Sequence, residues 1–376
     1  MATRDGDKFL YSRRAFGKLA LAGLPVTLAL RDLDAFDAVD SKINGVQIGA
    51  ITYSFRAIPS PEDIIKAYVS IGLSEMELMS NHAEMLAGAP ILATPPAGRG
   101  PGAGVGAPPA PPPAPGAPPA PAAPSSGAGT PPAPPAAPMP GGSPAAGRQG
   151  GGRRVLTPEE QADADARAQA LHKWRMSATD ATFATVKKKI TDAGIDLRIL
   201  CYNLNVRNTK DDEIEYAFMM AKALGARVIS TSTQVSMAKR TAPFADKHKI
   251  RLAFHGHDNL TDPDETATPQ SFDTILQASK YHAINLDIGH FTAANFDPVA
   301  YIQQHHDHIT HLHLKDRKKD HGANVPWGQG DTPIKAVLKL LEKNKWDIPA
   351  NVEFEYPGAP VVEVAKCLDY CKAALA

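Results

Sequence analysis

The chain has 376 residues with 40 basic and 40 acidic side chains, so its formal net charge is zero. The chain therefore has no excess of positive charge to attract a nucleic acid or an anionic membrane surface. The balance fits a small neutral substrate better. The three cysteines, Cys201, Cys367 and Cys371, are too few and too unevenly placed for a disulfide framework.

The N-terminus has the pattern of an export signal. Residues 12–18, SRRAFGK, resemble the twin-arginine motif, and a run of mainly Leu, Ala, Gly and Val follows from Leu19 to Leu30. That run is short for a membrane span but has the length of a signal-peptide core. Residues 1–40 are predicted to be a twin-arginine-type leader, which implies export by the twin-arginine machinery to the periplasm or cell envelope. An uncleaved anchor and an amphipathic helix are the alternatives.

Strand-like and helix-like patterns then alternate along the chain. Strands are predicted at Val46–Thr52, Met76–Met79, Leu197–Tyr202, Arg227–Thr231, Arg251–His255, Ala283–Asp287, His308–Leu314 and Ala350–Glu355. Helices are predicted at Pro61–Ile71, Pro158–Ala193 in two pieces, Asp211–Leu224, Gln234–Lys247, Pro269–Ser279, Pro298–His305, Pro333–Asn344 and Ala359–Leu375. Eight such units over about 250 residues predict a (β/α)8 TIM barrel across residues 41–375. A doubly wound sheet is the alternative, but the Gly-rich turn of a nucleotide binder is missing.

A low-complexity segment interrupts the predicted barrel after strand two, from residue 90 to 153. Most of the 34 prolines lie there, and Gly, Ala and Ser supply most of the rest. Such a composition cannot bury enough apolar surface to offset the entropy lost on ordering. We predict a disordered, partly polyproline-II insertion, and an inert role is favoured over a ligand for a proline-binding module.

Metal-competent side chains follow the predicted strands at their carboxyl ends, where TIM barrels place their active sites. In chain order they are Glu77 after strand two, His255 and His257 after strand five, Asp287 and His290 after strand six, His311 and His313 in strand seven, and Glu353 and Glu355 in strand eight. Burying a carboxylate without a partner is costly. One shared cation therefore explains the metal-competent side chains at four consecutive strand ends better than four unrelated structural roles would. Imidazole and carboxylate together suit Mn²⁺, Zn²⁺, Co²⁺ or Fe²⁺.

Five short motifs together resemble the xylose-isomerase-like TIM-barrel superfamily of sugar-phosphate isomerases and epimerases. In chain order they are AFHGHD at 253–258, LDIGH at 286–290, HLKD at 313–316, GQGD at 328–331 and VEFEY at 352–356. The resemblance covers nearly all of residues 46–375 outside the insertion. It implies one divalent ion held by Asp287, His313 and Glu353. Where ketose epimerases show Glu-Asn-His, this chain has His255-Gly256-His257, so His255 is predicted to replace the first glutamate as a ligand.

The resemblance also implies the chemistry. Ketose epimerases of this kind use two glutamates to remove and return a proton beside a carbonyl that the metal polarises. With His255 in place of one glutamate, Glu353 is the chief candidate base, and His255 or His257 is the candidate partner acid. Reactions that need acid/base groups on only one face of the sugar require a single strong base. Ketose–aldose isomerisation and β-elimination from a 3-keto sugar or glycoside are examples.

Four further residues are candidate substrate contacts. His290 would bind a hydroxyl group, and Glu77 would either bind a hydroxyl group or support a metal ligand by a hydrogen bond. Lys315 would contact substrate oxygens, and Trp327 would offer an apolar face to a sugar ring. Structural roles remain open beside these: Lys315 pairing with Asp316, a surface salt bridge for Glu77, and loop packing for Trp327.

The sequence therefore favours a metal-dependent sugar isomerase or epimerase with a small carbohydrate substrate and no nucleic-acid partner. A lyase or hydrolase of 3-keto-glycosides is the alternative enzyme, and a non-catalytic carbohydrate-binding barrel at the cell envelope is the alternative of another class. An endonuclease-like phosphodiesterase is disfavoured by the neutral charge and the short ligand set. A homo-oligomer is left open, since many relatives associate through their helical shells.

Overall fold

The computed structural model describes residues 39–90 and 157–376. The export motif at residues 12–18 and the proline-rich segment from 91 to 153 lie outside these residues. No helix in the described ranges is both long enough and apolar enough to span a membrane.

Eight parallel strands close into a barrel, because the first of them pairs with the last. A two-residue strand, β1 Lys42–Ile43, pairs antiparallel with the first barrel strand. The turn between them is Asn44-Gly45, and both residues have positive φ, 49° and 89°, as a two-residue hairpin requires. The barrel strands are β2 Val46–Ile51, β3 Glu75–Met79, β4 Asp196–Cys201, β5 Val228–Thr231, β6 Arg251–His255, β7 His282–Asp287, β8 Ile309–Leu314 and β9 Ala350–Val352.

The TIM-barrel prediction is confirmed. The observed strand ends differ from the predicted ones by at most one residue, except in the last strand. That strand ends at Val352, three residues earlier than expected. The N–H of Phe354 donates to Oγ of Ser54 at 2.9 Å, so a side chain takes the hydrogen bond that a strand ladder would use. Glu353 therefore follows the strand end, although its own N–H still donates to the carbonyl of Leu314 on β8 at 3.0 Å.

The helices surround the barrel, and the predicted ones are all present with small shifts at their ends. The first begins with Ser60, whose side chain caps the N–H of Asp63, and ends at Gly72 with a φ of 92°. The helices are α1 Pro61–Ile71, α2 Ser80–Leu86, α3 Pro158–Ser177, α4 Asp180–Asp192, α5 Asp211–Leu224, α6 Met237–His248, α7 Pro269–Ala278, α8 Ile288–Ala293, α9 Pro298–His305, α10 Ile334–Asn344 and α11 Pro360–Leu375. The short helices α2 and α8 were not predicted, since seven or six residues give too little periodicity.

Alternation along the strands separates an apolar layer from a polar one. On β8, Leu312 and Leu314 join the continuous hydrophobic core that the strands share with the surrounding helices. His311 and His313 occupy the other face, inside the barrel, and are buried there. The barrel interior is thus polar at its carboxyl end, and this layer holds the candidate site.

Candidate active site

Four side chains from four consecutive strands converge at the carboxyl end of the barrel. They are His255 at the end of β6, Asp287 at the end of β7, His313 on β8 and Glu353 after β9, and one ligand atom of each lies within 4.8 Å of all the others. Nε2 of His255 is 3.4 Å from Oδ2 of Asp287 and 3.7 Å from Oε2 of Glu353. Nδ1 of His313 is 2.9 Å from that same Oε2. The structure therefore brings together all four residues that the sequence nominates as metal ligands.

The donor set fits a divalent cation of the transition series or zinc. It offers two imidazole nitrogens and two carboxylate oxygens, and all four residues are buried. Burial lowers the pKa of His255 to about 3, so this imidazole is neutral at physiological pH and has a lone pair to give. Burial alone would raise the pKa of Asp287, but the ammonium of Lys315 and the ring of His290 hold it well below its ordinary value.

Glu353 and His313 are electrostatically linked. Burial opposes the charged form of Glu353, but Lys315 and His313 hold the pKa of the carboxyl far below its usual range. Burial likewise disfavours a charged His313, and the carboxylates of Glu77 and Glu353 raise its pKa well above its ordinary value. Each ring nitrogen of His313 faces one of these carboxylates, at 2.7 Å for Nε2 and Glu77 and 2.9 Å for Nδ1 and Glu353.

Lys315 lies within the same cluster and is almost completely buried. Its Nζ is 3.1 Å from Oδ2 of Asp287, 3.1 Å from Oε2 of Glu353 and 2.6 Å from Oε2 of Glu355. Burial alone would lower the pKa of Lys315, but the surrounding carboxylates raise it well above its ordinary value. The side chain is therefore a buried ammonium that neutralises part of the acidic cluster.

Asp316 does not pair with its neighbour Lys315 but organises the GQGD loop. Its carboxylate accepts the N–H of Gly328 at 2.8 Å, of Gly330 at 2.9 Å and of Thr332 at 3.3 Å. A β-carbon on Gly330 would clash with this carboxylate, so the glycine is required for the close approach. Two of the motifs that suggested the family thus meet in one structural contact.

The two histidines of the HGH stretch have different surroundings. Whereas His255 faces the acidic cluster, His257 lies with Nδ1 2.6 Å from Oε1 of Glu265 and Nε2 3.0 Å from Oγ of Ser232. Their rings are 5.0 Å apart and perpendicular. The position of Glu265 makes a carboxylate–histidine pair, an arrangement that orients an imidazole for proton transfer. No local pattern in the sequence indicated this partner.

A second network that the sequence did not indicate fixes His290. Nδ1 of His290 is 2.9 Å from Oδ1 of Asp258, which also accepts a hydrogen bond from Nη1 of Arg317 at 2.8 Å. Arg317 in turn donates to the carbonyl of Gly322 at 2.8 Å. Burial opposes the charge on Asp258, but His290 and Arg317 hold its pKa far below its usual range. Asp258 is the last residue of the AFHGHD motif and Arg317 directly follows HLKD, and these positions were the available signal.

Like His290 and Lys315, the two remaining candidate contacts, Glu77 and Trp327, do not line the cleft beside the cluster. Glu77 is fully buried, and its carboxylate forms a hydrogen bond with Nε2 of His313 at 2.7 Å. Trp327 packs edge-on against Tyr370 of α11, with ring centroids 5.7 Å apart.

A small cleft opens beside the cluster and reaches His255, His313 and Glu353. Its remaining lining residues are Ile51, Tyr53, Met79, Cys201, Asn203, Ser230, Ser232 and Asn285. Asn203 and Ser232 follow the ends of β4 and β5, so the strand-end rule that nominated the ligands also applies to them. Their amide and hydroxyl groups suit the hydroxyl groups of a small polar ligand.

Comparison with known proteins places the chain in a family. The family described as xylose isomerase-like TIM barrel matches residues 161–372, more than half of the chain. The chain belongs to this family. L-ribulose-5-phosphate 3-epimerase UlaE of Salmonella paratyphi A is 33% identical over 92 residues, which are 24% of this chain and 32% of that enzyme. UlaE of Escherichia coli K12 matches over the same length. The aligned stretch thus spans about a third of the length of these curated relatives.

Solved structures show the same fold. A sugar phosphate isomerase/epimerase from Parabacteroides distasonis is 14% identical, with a TM-score of 0.52 and coverage of 92% of this chain and 99% of that one. The IOLI protein, crystallised with a zinc atom, is 10% identical, with a TM-score of 0.51 and coverage of 88% and 96%. Since the identities are low, these likenesses concern the barrel itself.

Proposed function

We propose that the protein is a divalent-metal-dependent isomerase or epimerase of a small sugar, which moves a proton on the carbon next to a carbonyl group. The convergence of His255, Asp287, His313 and Glu353 on one point beside the cleft is the observation that carries this proposal. Membership of a family whose relatives include sugar isomerases and epimerases supports it.

These four residues would hold the ion. When bound, such an ion would polarise the carbonyl oxygen of the substrate and thereby favour removal of a neighbouring proton. The hydroxyl and amide groups of Ser232 and Asn203 in the cleft wall would bind the sugar hydroxyls. The surrounding burial would keep bulk water away from the reacting carbon.

Glu353 is our candidate base. Its contacts with His255, His313 and Lys315 are all made by Oε2. Oε1 is therefore the oxygen left to accept a proton from the substrate. The residue also lines the cleft, so a bound sugar would lie within its reach.

His257 is our candidate partner that returns the proton. Because Glu265 engages Nδ1, the other ring nitrogen, Nε2, faces Ser232 on the cleft wall. Ser232 rather than His257 lines the cleft, so the proton would pass between this nitrogen and a bound substrate through the hydroxyl of Ser232. His255, whose pKa is lowered to about 3, is better suited to metal ligation than to proton transfer near neutral pH.

The His257–Glu265 pair also supports a second candidate function, elimination from a 3-keto-glycoside. In that reaction Glu353 would remove a proton beside the keto group, and His257 would protonate the departing glycosidic oxygen. Release of the aglycone distinguishes this reaction from isomerisation, in which solvent hydrogen enters an intact sugar.

The test combines metal analysis with hydrogen exchange on a panel of keto sugars and keto-glycosides in D₂O. We expect about one ion per chain and deuterium incorporation that falls by about 10²–10⁴-fold in Glu353→Gln. Glu355→Gln is the matched control, since Glu355 contacts Lys315 but is not part of the ligand set. Undiminished exchange in Glu353→Gln would rule out the base, and sugar binding without exchange or elimination would favour a binding protein.

Export through the twin-arginine machinery and assembly into an oligomer remain predictions. The motif that implies export, at residues 12–18, lies outside the described part of the chain.

A further inference from the structure

A second polar cluster lies one layer deeper in the barrel than the proposed metal site. We call it the floor cluster: Glu77 on β3 with His311 and His313 on β8, all three buried. His311 precedes His313 by two residues, so it points the same way one step further into the barrel. Since His313 belongs to both sets, the floor cluster contacts the proposed metal site directly.

The carboxylate of Glu77 is surrounded by hydrogen-bond donors. Oε1 accepts from the hydroxyl of Ser230, and Oε2 accepts from Nδ2 of Asn351 at 3.3 Å. Oε2 is also 2.7 Å from Nε2 of His313 and 3.4 Å from Nε2 of His311. Glu77 is fully buried, so these side chains take the place of water around its charge. The carboxylate of Glu77 is thus an acceptor in a pocket of donors. Its shortest described contact with a nitrogen is the one to Nε2 of His313.

This contact decides which ring nitrogen of His313 faces the proposed ion. A carboxylate accepts hydrogen bonds, so Nε2 of His313 carries the hydrogen that points at Glu77. Nδ1 is then the nitrogen that lies toward Glu353. Nδ2 of Asn285 is 3.2 Å from the same Nε2, while Oδ1 of Asn285 is buried without a partner. Exchanging the two ends of that amide would turn Oδ1 into a second acceptor for the same hydrogen.

We propose that Glu77 is a positioning residue, which anchors the Nε2 hydrogen of His313 and thereby presents Nδ1 to the metal site. The inference rests on the proposed metal site for its functional consequence, but the Glu77–His313 hydrogen bond can be tested without any metal. Partners of this kind fix the orientation of a histidine ligand, and their loss typically weakens metal binding by about 10–100-fold.

Glu75 provides a matched control on the same strand. It precedes Glu77 by two residues, points into the same interior and is also fully buried. No hydrogen bond joins it to His313 within the described residues, and its two oxygens are buried without partners. Glu75→Gln therefore perturbs the same region of the barrel while both partners of the Glu77–His313 hydrogen bond stay in place.

The experiment compares Glu77→Gln, Glu77→Leu and Glu75→Gln in the full chain. Zn²⁺ affinity is measured by competition with a chelating dye. The Nε2 hydrogen of His313 is followed by NMR of ¹⁵N-histidine-labelled protein, with His313→Asn identifying the signal. Glu77→Gln retains an acceptor oxygen and the shape of the side chain, so it decides the question if Glu77→Leu does not fold.

We expect Zn²⁺ to bind about 10–100-fold more weakly in Glu77→Leu, with a smaller loss in Glu77→Gln and no loss in Glu75→Gln. The downfield signal of the hydrogen-bonded Nε2 hydrogen should shift upfield or disappear in both Glu77 variants and stay in Glu75→Gln. An unchanged signal, equal losses of affinity at Glu75 and Glu77, or two tightly bound ions per chain would overturn the inference. If the unsubstituted protein binds no Zn²⁺ while the signal responds as expected, the proposed function fails and the Glu77 anchor stands.

Discussion

The ammonium of Lys315 lies 3.1 Å from the carboxylate of Asp287, in the midst of the groups that would bind a cation. The same Nζ is equally close to Glu353. Lys315 thus supplies positive charge to a buried acidic cluster and opposes a second cation there.

Replacing Lys315 should separate these two effects. In Lys315→Met we expect divalent-ion affinity to rise by at least about tenfold, because a like charge about 4 Å away disfavours a cation by several kcal/mol at an effective dielectric constant of about 20. Without the ion, the variant should lose about 3–5 kcal/mol of unfolding free energy, since buried carboxylates lose their partner.

The measurement is chemical denaturation with and without Zn²⁺, together with dye competition. Lys318→Met is the control, because Lys318 is half-exposed and its ion pair with Asp331 spans 3.5 Å. Weaker Zn²⁺ binding in Lys315→Met would contradict the competition and would indicate that the ammonium supports the site.

Arg317 should matter far more for stability than an exposed arginine in a similar pair. Its side chain is buried, and it donates to Asp258 and to the carbonyl of Gly322. Arg317→Leu leaves the carboxylate of Asp258 without its guanidinium partner, so we expect a loss of about 3–5 kcal/mol in the free energy of unfolding.

Arg240→Leu offers the comparison. Arg240 and Asp211 form an ion pair at 2.7 Å on the surface, and its loss should cost about 1 kcal/mol or less. Urea denaturation of both variants measures the difference. Similar losses for the two would show that the buried network contributes no more than a surface pair.

The stability of the protein should depend on pH through His282. Burial lowers the pKa of this residue, although the carbonyl of Ile275 and the carboxylate of Asp246 oppose the shift. As the pH falls below about 6.5, the unfolded chain therefore takes up the proton before the folded protein does. The contribution of His282 to stability is complete above that pH and is lost as the pH falls toward the folded pKa.

His282→Gln should accordingly flatten the decline in unfolding free energy between pH 7.5 and 5.5, measured by urea denaturation and subtracted from the parent protein. Other buried histidines contribute to both proteins and cancel in the difference. His308→Gln, at an exposed position, is the control. A parallel decline in His282→Gln and the parent would disprove this assignment.

Elements of the barrel could be predicted because their signals are local. Helix α1 is bounded by Ser60-Pro61 and by Gly72, each of which has a cap role that the sequence alone displays. The parallel strands read as short apolar runs, and their carboxyl ends indicated which acids and imidazoles would meet. Convergence of His255 with Glu353 follows from barrel closure.

Contacts between side chains of distant loops could not be predicted in this way. Asp258 and Arg317 are separated by 59 positions, and no local pattern specifies their hydrogen bond. Likewise, the early end of β9 depends on Ser54, at the opposite end of the chain's sequence. Strand alternation predicts that the side chain of Glu77 points into the barrel. Its position along the barrel axis depends on the stagger between neighbouring strands, which is a property of the closed barrel.

The most direct measurement of the central claim is the anomalous scattering of a crystal prepared with Zn²⁺. We expect one strong peak within about 2.0–2.2 Å of donor atoms from His255, Asp287, His313 and Glu353. A crystal in which Zn²⁺ binds only elsewhere, or in which these four side chains fail to share one ion, would contradict it.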